Sequence, residues 1–132
     1  MGEPSGLPFR MVYVDPSDVR FTQRSIANHF SDGFEAFSLQ EAQDRIERGW
    51  MRASDFPPIQ VYRDENGTLW SQNNRRLWVF RKAAITRVAV KLFVNPFFRL
   101  PPSGAQREEM SRPHYFPLLR GQRTGVRQQY IQ

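Results

Sequence analysis

Residues 57–94 carry, without interruption, the patterns of two strands, a helix and a third strand. Ile59 and Val61 alternate with polar residues, and the pair Asn66-Gly67 marks a tight turn that leads back into an extended run. Apolar residues at helical spacing follow, and the run RVAVKLFV then indicates another strand. This order predicts a mixed α+β or α/β domain in which a small mixed sheet is covered by two or three helices.

The same periods identify the buried positions of this unit. The helix is expected over residues 74–84, with Leu77, Phe80 and Ala84 on one face, and the last strand over residues 88–94. Six apolar side chains are expected to lie in the core: Ile59, Val61, Leu77, Phe80, Val88 and Val90.

The segment before this unit predicts a strand followed by a short helix. The run RMVYV is strand-like and stops at a proline-containing turn signal. Ile26 and Phe30 lie four residues apart, which indicates one face of a short helix, with Thr22 as its candidate N-cap. Asp32-Gly33 is the expected end of that helix, because glycine adopts positive φ without a steric penalty.

The clearest helix signal comes next in the chain. Ser38 is followed three residues later by Glu41, which is the pattern of a capping box. Gly49 is the expected C-terminal stop. The buried stripe of this helix is expected to be Leu39, Ala42 and Ile46.

Composition limits the class of partner. The 132 residues suffice for one domain with its own core, and a net charge of +6 with a pI of about 10.5 favours phosphate-bearing partners. The absence of cysteine excludes disulfides, thiolate metal sites and cysteine nucleophiles. No apolar run approaches the ~20 residues of a membrane span, and no signal peptide is visible. We therefore expect no membrane contact and a cytoplasmic or otherwise intracellular location, with a secreted effector as the alternative.

The character of the chain changes at residue 96. We expect a core domain at residues 1–95 and an irregular proline- and arginine-rich extension at residues 96–132, with one short helix over residues 105–110. Its aromatic side chains are expected to pack on the core or on a protein partner, and its arginines Arg120, Arg123 and Arg127 are candidate nucleic-acid contacts.

The most unusual local feature is the box Asn73-Asn74-Arg75-Arg76, which joins a strand to a helix. The first N–H groups of a helix have no intrahelical partner, so an anion is stabilised there. Two arginines in a first turn oppose the helix dipole unless an anion or a carboxylate compensates for their charge. Two interpretations have equal weight on this chemistry: the arginines bind phosphate, or they are surface residues that pair with acids.

Two segments together resemble the ParB/sulfiredoxin superfamily. The more specific resemblance is to ParB-like domains at the C-terminal ends of bacterial polymorphic toxins, which carry an R-[FS/T]-x-Q-x-S-I…F-x-D-G segment and a DNRRL-x-x-F box. The resemblance covers about residues 11–94. The matching positions are Arg20, Thr22, Gln23, Ser25, Ile26, Phe30, Asp32, Gly33, Asn74, Arg75, Arg76, Leu77 and Phe80.

The resemblance implies a pocket between the segment 20–25 and the box. The candidate catalytic residues are Arg20, Gln23, Ser25 and Arg76. The candidate nucleotide- or phosphate-binding residues are Arg20, Thr22, Gln23, Asn73, Asn74, Arg75 and Arg76. Ser25 has no activating partner visible in the sequence, and bonding to backbone or to a ligand oxygen is the stronger interpretation. The implied cofactor is a nucleotide with Mg²⁺.

Other side chains give weaker signals. The carboxylates that would hold Mg²⁺ together with phosphate oxygens are Asp15, Asp18, Asp32, Asp64 and Glu65, but their spacing matches no metal-binding signature and we predict no metal site in the protein itself. Three tryptophans are candidates to stack on a nucleic-acid base, although core or partial burial is the commoner fate of tryptophan and is what we expect for Trp50, Trp70 and Trp78.

The chain also departs from the family pattern. Asn73 stands where the toxin-associated box has aspartate, and Asn74 stands where ParB proteins have glutamate, so a carboxylate serving a metal or a base is missing at both positions. Without cysteine, sulfinic-acid reduction of the sulfiredoxin type is excluded. No helix-turn-helix or dimerisation segment follows, which argues against the chromosome-segregation role of ParB proteins.

Three function classes follow from these observations. The first is a domain that handles nucleotides or nucleic-acid phosphates, as a nuclease or a nucleotide-targeting toxin. The second is a non-catalytic module that binds DNA or a protein on the same fold. The third is an ATP-dependent, kinase-like enzyme acting on a small molecule. The missing carboxylates favour the second class, and the intact arginines favour the other two.

Overall fold

The computed structural model describes residues 6–30, 37–95 and 97–121. The strands are β1 (Phe9–Val14), β2 (Val19–Arg20), β3 (Ser25–Ala27), β4 (Ile59–Arg63), β5 (Leu69–Ser71), β6 (Val88–Phe93) and β7 (Leu118–Arg120). The helices are α1 (Leu39–Glu47), α2 (Asn74–Lys82) and α3 (Ala105–Met110), and none of these helices has the length and hydropathy needed to cross a bilayer. Short 3₁₀ turns occur at Pro16–Asp18 and Ala53–Asp55.

A five-stranded mixed sheet is the centre of the fold. Its strand order is β1-β6-β4-β5-β2, in which β6 is antiparallel to β1 and parallel to β4, and β5 is antiparallel to β4 and parallel to β2. A second, two-stranded sheet pairs β3 with β7 in parallel. This arrangement of a mixed sheet with three helices confirms the predicted α+β class.

The core forms between this sheet and the pair α1–α2. All six side chains predicted to be central to the core are buried: Ile59, Val61, Leu77, Phe80, Val88 and Val90. They join the buried residues of α1 in one apolar cluster. Of the three tryptophans, Trp70 and Trp78 are buried as predicted. The prediction for Trp50 is wrong, because its side chain is 64% exposed, with Arg48 lying over its ring.

Helix α1 begins and ends as its sequence predicts. The Ser38 hydroxyl accepts a hydrogen bond from the Glu41 N–H at 3.1 Å, and the Glu41 carboxylate accepts one from the Ser38 N–H at 2.7 Å, which completes the capping box. At the other end Gly49 has φ +79°. The N–H groups of Gly49 and Trp50 bond to the carbonyls of Ile46 and Arg45, respectively, which is the Schellman pattern.

Helix α2 ends in the same motif with a different residue. The N–H groups of Ala84 and Ile85 bond to the carbonyls of Arg81 and Phe80, respectively, and Ala84 has φ +59°. The prediction that Ala84 continues the buried helical face is therefore wrong. Its side chain is exposed, because the chain has already turned into the left-handed conformation that closes the helix.

The predicted short helix at residues 26–30 is also wrong. Residues Ser25–Ala27 form β3, and Thr22 caps no helix. The Ile26 side chain is buried as a helical residue would be, but the neighbouring backbone groups bond to β7 and its flanks: Leu118 N–H donates to Arg24 C=O, and Asn28 N–H donates to Arg120 C=O. Pairing with a distant strand thus overrides the local apolar spacing. Asp32-Gly33 lies outside the described residues.

The described part of the C-terminal extension lies against the rest of the molecule. Helix α3 occupies residues 105–110, as predicted, and its Met110 is fully buried. The Phe116 ring lies 5.3 Å from that of Phe21, which is itself fully buried. Strand β7 was missed, because three residues are too few to show a period.

The closing motif of α2 gives a stability prediction. Replacing Ala84 with glycine removes the steric strain of a left-handed alanine, so the free energy of unfolding should rise by about 0.5–1 kcal/mol after allowing for the greater freedom of glycine in the unfolded chain. Gly49→Ala at the matching position of α1 should lower it by about 1 kcal/mol. Urea denaturation of both variants measures the two effects. A loss of stability in Ala84→Gly would contradict the left-handed conformation at this residue.

Candidate functional site

The two asparagines of the box connect the start of α2 to two separate segments. Asn73 accepts a hydrogen bond from the Gln60 N–H of β4 at 2.7 Å. Asn74 is 4% exposed, and both the oxygen and the NH₂ group of its side-chain amide form hydrogen bonds. Its oxygen accepts from the Thr22 N–H at 2.9 Å, and its NH₂ group donates to the Thr22 hydroxyl at 2.9 Å and to the Gln23 side-chain oxygen at 3.1 Å. The Thr22 hydroxyl in turn donates to the Ser71 carbonyl.

The two arginines of the box turn away from these asparagines. The Arg75 guanidinium donates to the His29 carbonyl at 2.9 Å. The Arg76 guanidinium donates to the carbonyls of Pro57 and Pro58, each at 3.1 Å. Both arginines therefore donate to backbone carbonyls, whereas the two interpretations of the sequence expected them to bind phosphate or to pair with carboxylates. Four consecutive residues of the box each fix a different segment around the start of α2.

The Arg20 side chain also bonds to the protein backbone. Its guanidinium donates to the Ser111 carbonyl and to the Ser17 carbonyl, both at 2.8 Å, and so joins the end of α3 to the 3₁₀ turn that precedes β2. The neighbouring Arg81 donates to the carbonyls of Val19 and Pro113. Burial lowers the pKa of both arginines, and the charge of Arg20 lowers the pKa of Arg81 further, but guanidinium groups remain charged at neutral pH.

A cleft of about 390 Å³ opens beside the first residue of α2. Its lining is contributed by the segment after β2, the junction between β5 and α2, and the extension around α3. The lining residues are Thr22, Gln23, Gln72, Asn74, Arg99, Leu100, Pro101, Pro102 and Gln106. The structure thus brings together three of the predicted phosphate-binding residues, Thr22, Gln23 and Asn74, at the place where the resemblance implies a pocket.

The remaining predicted residues do not line this cleft. Arg20, Asn73, Arg75 and Arg76 form the backbone contacts described above. Ser25 lies half-buried in β3, opposite Leu118. Among the candidate nucleic-acid contacts, Arg120 is exposed in β7, whereas Arg123 and Arg127 lie outside the described residues.

The one charged side chain in the described lining is Arg99, which the sequence analysis missed together with Gln72 and Gln106. These residues follow no periodic pattern, and two of them belong to the extension. Their only sequence signal is position: Gln72 directly precedes the box, and Arg99 lies two residues before the Pro101-Pro102 pair. The wall that this pair forms is held by Arg107, whose guanidinium donates to the Pro101 carbonyl.

Two of the candidate carboxylates for Mg²⁺, Asp15 and Asp64, have protein partners, and a third, Asp32, lies outside the described residues. Asp15 accepts hydrogen bonds from Ser17 at the 3₁₀ turn. Asp64 is buried at the hairpin between β4 and β5 and accepts from the N–H groups of Asn66 and Thr68 and from the Trp70 indole at 2.9–3.0 Å. Across the described ranges, no group of three His, Cys, Asp or Glu side chains could hold a metal ion.

Neither the models of known protein families nor the curated protein sequences contain a match to this chain. The ParB/sulfiredoxin resemblance thus stays a prediction that rests on the two segments quoted above.

Asn74 gives the first prediction for this region. Asn74→Ala should lower the free energy of unfolding by about 2–3 kcal/mol, because it leaves the partly buried Thr22 N–H without its acceptor and removes two further bonds. Arg75→Ala removes a bond at the surface and should cost about 1 kcal/mol or less. Urea denaturation compares the two. Equal small losses would contradict the assignment of Asn74 as the main connection between α2 and the segment after β2.

Asp64 gives a prediction on pH. Burial raises the pKa of this carboxyl, but the indole and the two backbone N–H donors, together with the charge of Arg107, lower it below the ordinary value of 3.8. Since the folded pKa is the lower one, the ionised carboxylate contributes stability that is fully present above the unfolded pKa and is lost as the pH falls through the folded pKa.

Asp64→Asn should therefore flatten the loss of stability between about pH 5 and about pH 2, and Trp70→Phe, which removes one donor, should flatten it partly. Urea unfolding of the parent and both variants across this range is the measurement. An Asp64→Asn variant with the same pH dependence as the parent would contradict the prediction.

Proposed function

We propose that this chain is a phosphate-binding module that takes a nucleotide, or the backbone of a nucleic acid, in the cleft beside α2. The observation that carries the proposal is the composition of that cleft. Its described lining combines one guanidinium, a hydroxyl and four carboxamides, of which that of Asn74 is already bonded within the protein, with an apolar wall, and it contains no Asp or Glu. Its volume falls within the range of about 300–1,000 Å³ typical of small-ligand sites.

Charge supports an anionic ligand. Leu77 is the first α2 residue whose N–H bonds to a box carbonyl, that of Asn73, and the N–H groups before it lie in the positive end of the helix dipole. Arg99 adds a full charge from the part of the lining that the extension contributes. A phosphate in the cleft would receive a charge-assisted hydrogen bond from Arg99, while Leu100 and the two prolines would contact a sugar or a base.

Binding is favoured over catalysis for this cleft. The one ionisable group in the described lining is Arg99, and a guanidinium does not exchange its proton near neutral pH. General acid–base chemistry would need a histidine, a carboxylate or another titratable group within reach of the ligand. Arg20 and Arg76, the arginines expected to act on the ligand, instead donate to backbone carbonyls. Any Mg²⁺ would arrive with the phosphates of the ligand.

The proposal predicts which substitution weakens binding. Arg99→Ala should reduce the affinity for ADP, ATP or a single-stranded oligonucleotide about 10- to 100-fold, because a charge-assisted bond is lost. Gln106→Ala should reduce it only a few-fold. Arg63→Ala is the matched control, since Arg63 is an exposed arginine that lines a different cavity. Isothermal titration calorimetry with each ligand, with and without Mg²⁺, measures the affinities.

Two results would contradict the proposal. One is a parent protein that binds none of these ligands and is not stabilised by them in thermal denaturation. The other is an equal loss of affinity in Arg63→Ala and Arg99→Ala, which would assign the binding to the overall positive charge rather than to the cleft.

A further inference from the structure

Strand β1 forms one edge of the main sheet and carries a row of exposed apolar side chains. Phe9, Met11 and Tyr13 are 41%, 50% and 64% exposed, respectively, whereas Val12 and Val14 pack against the core. Side chains alternate between the two faces of a strand, so the three exposed residues share the face turned away from α1 and α2. This edge is the opposite one to β2, whose following segment lines the cleft.

Among the strands that the structure describes, none pairs with the outer side of β1, so the backbone of the same three residues can accept an additional strand. Val94 N–H donates to the Pro8 carbonyl, one residue before β1 begins, and β1 then runs antiparallel to β6 in unbroken register. In an antiparallel pair, every second residue bonds to the partner strand and the residues between them point their N–H and C=O groups outward. The groups of Phe9, Met11 and Tyr13 are therefore the outward ones.

Each end of β1 adjoins a cavity that contains arginine. A cavity of about 450 Å³ at the start of the strand includes Phe9, Arg10 and Arg63 in its lining. A cavity of about 290 Å³ at its end includes Tyr13 and Arg87. The Arg87 guanidinium lies 4.1 Å from the centre of the Tyr13 ring, and the Lys91 ammonium lies 4.8 Å from that of Phe9. Within the described ranges, no ion pair involves Arg10, Arg63 or Arg87.

We propose that β1 is a docking edge for an acidic peptide segment of a protein partner, which adds to the sheet as an extra strand. The partner backbone would pair with the outward groups of β1. Apolar side chains on one of its faces would cover Phe9, Met11 and Tyr13, and carboxylates near its two ends would pair with Arg10 and Arg63 at one cavity and with Arg87 at the other. Six residues of β1 offer a contact about 20 Å long.

The cations around β1 and its outward backbone groups both favour an acidic strand over a second copy of the chain or a nucleic acid. A second copy of the chain would bring the same cations and a second net charge of +6 to the interface, which disfavours self-pairing. A nucleic acid would complement the charge and stack on the aromatic rings, but it lacks the alternating donors and acceptors that a strand edge requires. An acidic strand satisfies both requirements.

The test uses the full chain and a fluorescent, capped peptide of about eight residues, in which alternating valine and threonine are flanked by a glutamate pair at each end. The acidic peptide should bind, and a version with lysine in place of glutamate should not. Met11→Pro should weaken binding about tenfold or more, because it removes an outward donor without breaking the pairing of β1 with β6. Met11→Thr keeps that donor and is the matched control.

Hydrogen exchange provides an independent measurement on the parent protein. The amides of Phe9, Met11 and Tyr13 should become protected when the acidic peptide binds, and Arg87→Glu should remove that protection. This result decides the question if Met11→Pro fails to fold.

The proposal is overturned if the acidic peptide does not bind, if the lysine peptide binds equally well, or if a folded Met11→Pro variant binds as the parent does. It is also overturned if the parent dimerises through β1, which would make a second copy the occupant. Binding of oligothymidylate that is lost in Tyr13→Ala but kept in Met11→Pro would identify a nucleic-acid platform instead.

Discussion

The side-chain amide of Asn74 connects helix α2 to the segment that follows β2, and the positions of the surrounding segments depend on this junction. It is buried at the first residue of α2, and its oxygen and both its N–H groups are used on the segment that follows β2. The other three residues of the box extend the junction to β4, to the His29 carbonyl and to the Pro57-Pro58 segment. If the Asn74 carboxamide lost its bonds to Thr22 or Gln23, a buried polar group would be left unsatisfied. The position of α2 and that of the segment after β2 therefore depend on each other. The Asn74 bonds fix the part of the cleft wall that Thr22 and Gln23 form, and the Arg107 bond to the Pro101 carbonyl holds the part that comes from the extension.

The parts of the fold that could be predicted are those with a local cause. The capping box of α1, the start of α2 and the six central core residues follow from patterns within a few residues of each position. The errors have non-local causes. Residues 25–27 were misassigned because their backbone partners lie about 90 residues later in the chain, and the spacing of Ile26 and Phe30 fits a helix and an irregular strand equally well. Ala84 was misassigned because a left-handed alanine has no sequence signature.

The location of the candidate site could be predicted from the sequence better than the residues that line it. The resemblance indicated a pocket between residues 20–25 and the box, and a cleft lies there, with Thr22, Gln23 and Asn74 in its wall. The arginines were assigned to the ligand because charge beside a helix start suggests an anion, yet long side chains reach whichever acceptor is near, and here those acceptors are carbonyls of distant loops. Arg99 could not be identified, since only the folded extension brings it to α2.

The parallel pairing of β3 with β7 has a consequence for folding during synthesis. The five strands of the main sheet all precede residue 94, so that sheet can assemble while later residues are still being added. Phe21, by contrast, is fully buried beneath Phe116, and Arg20 and Arg81 bond to the carbonyls of Ser111 and Pro113. A chain that lacks the extension therefore displays an aromatic side chain beside two guanidinium groups, each of which has lost one of its two carbonyl acceptors. Such an intermediate exposes apolar surface that the complete chain covers, and exposed apolar surface makes a partly folded chain prone to aggregate.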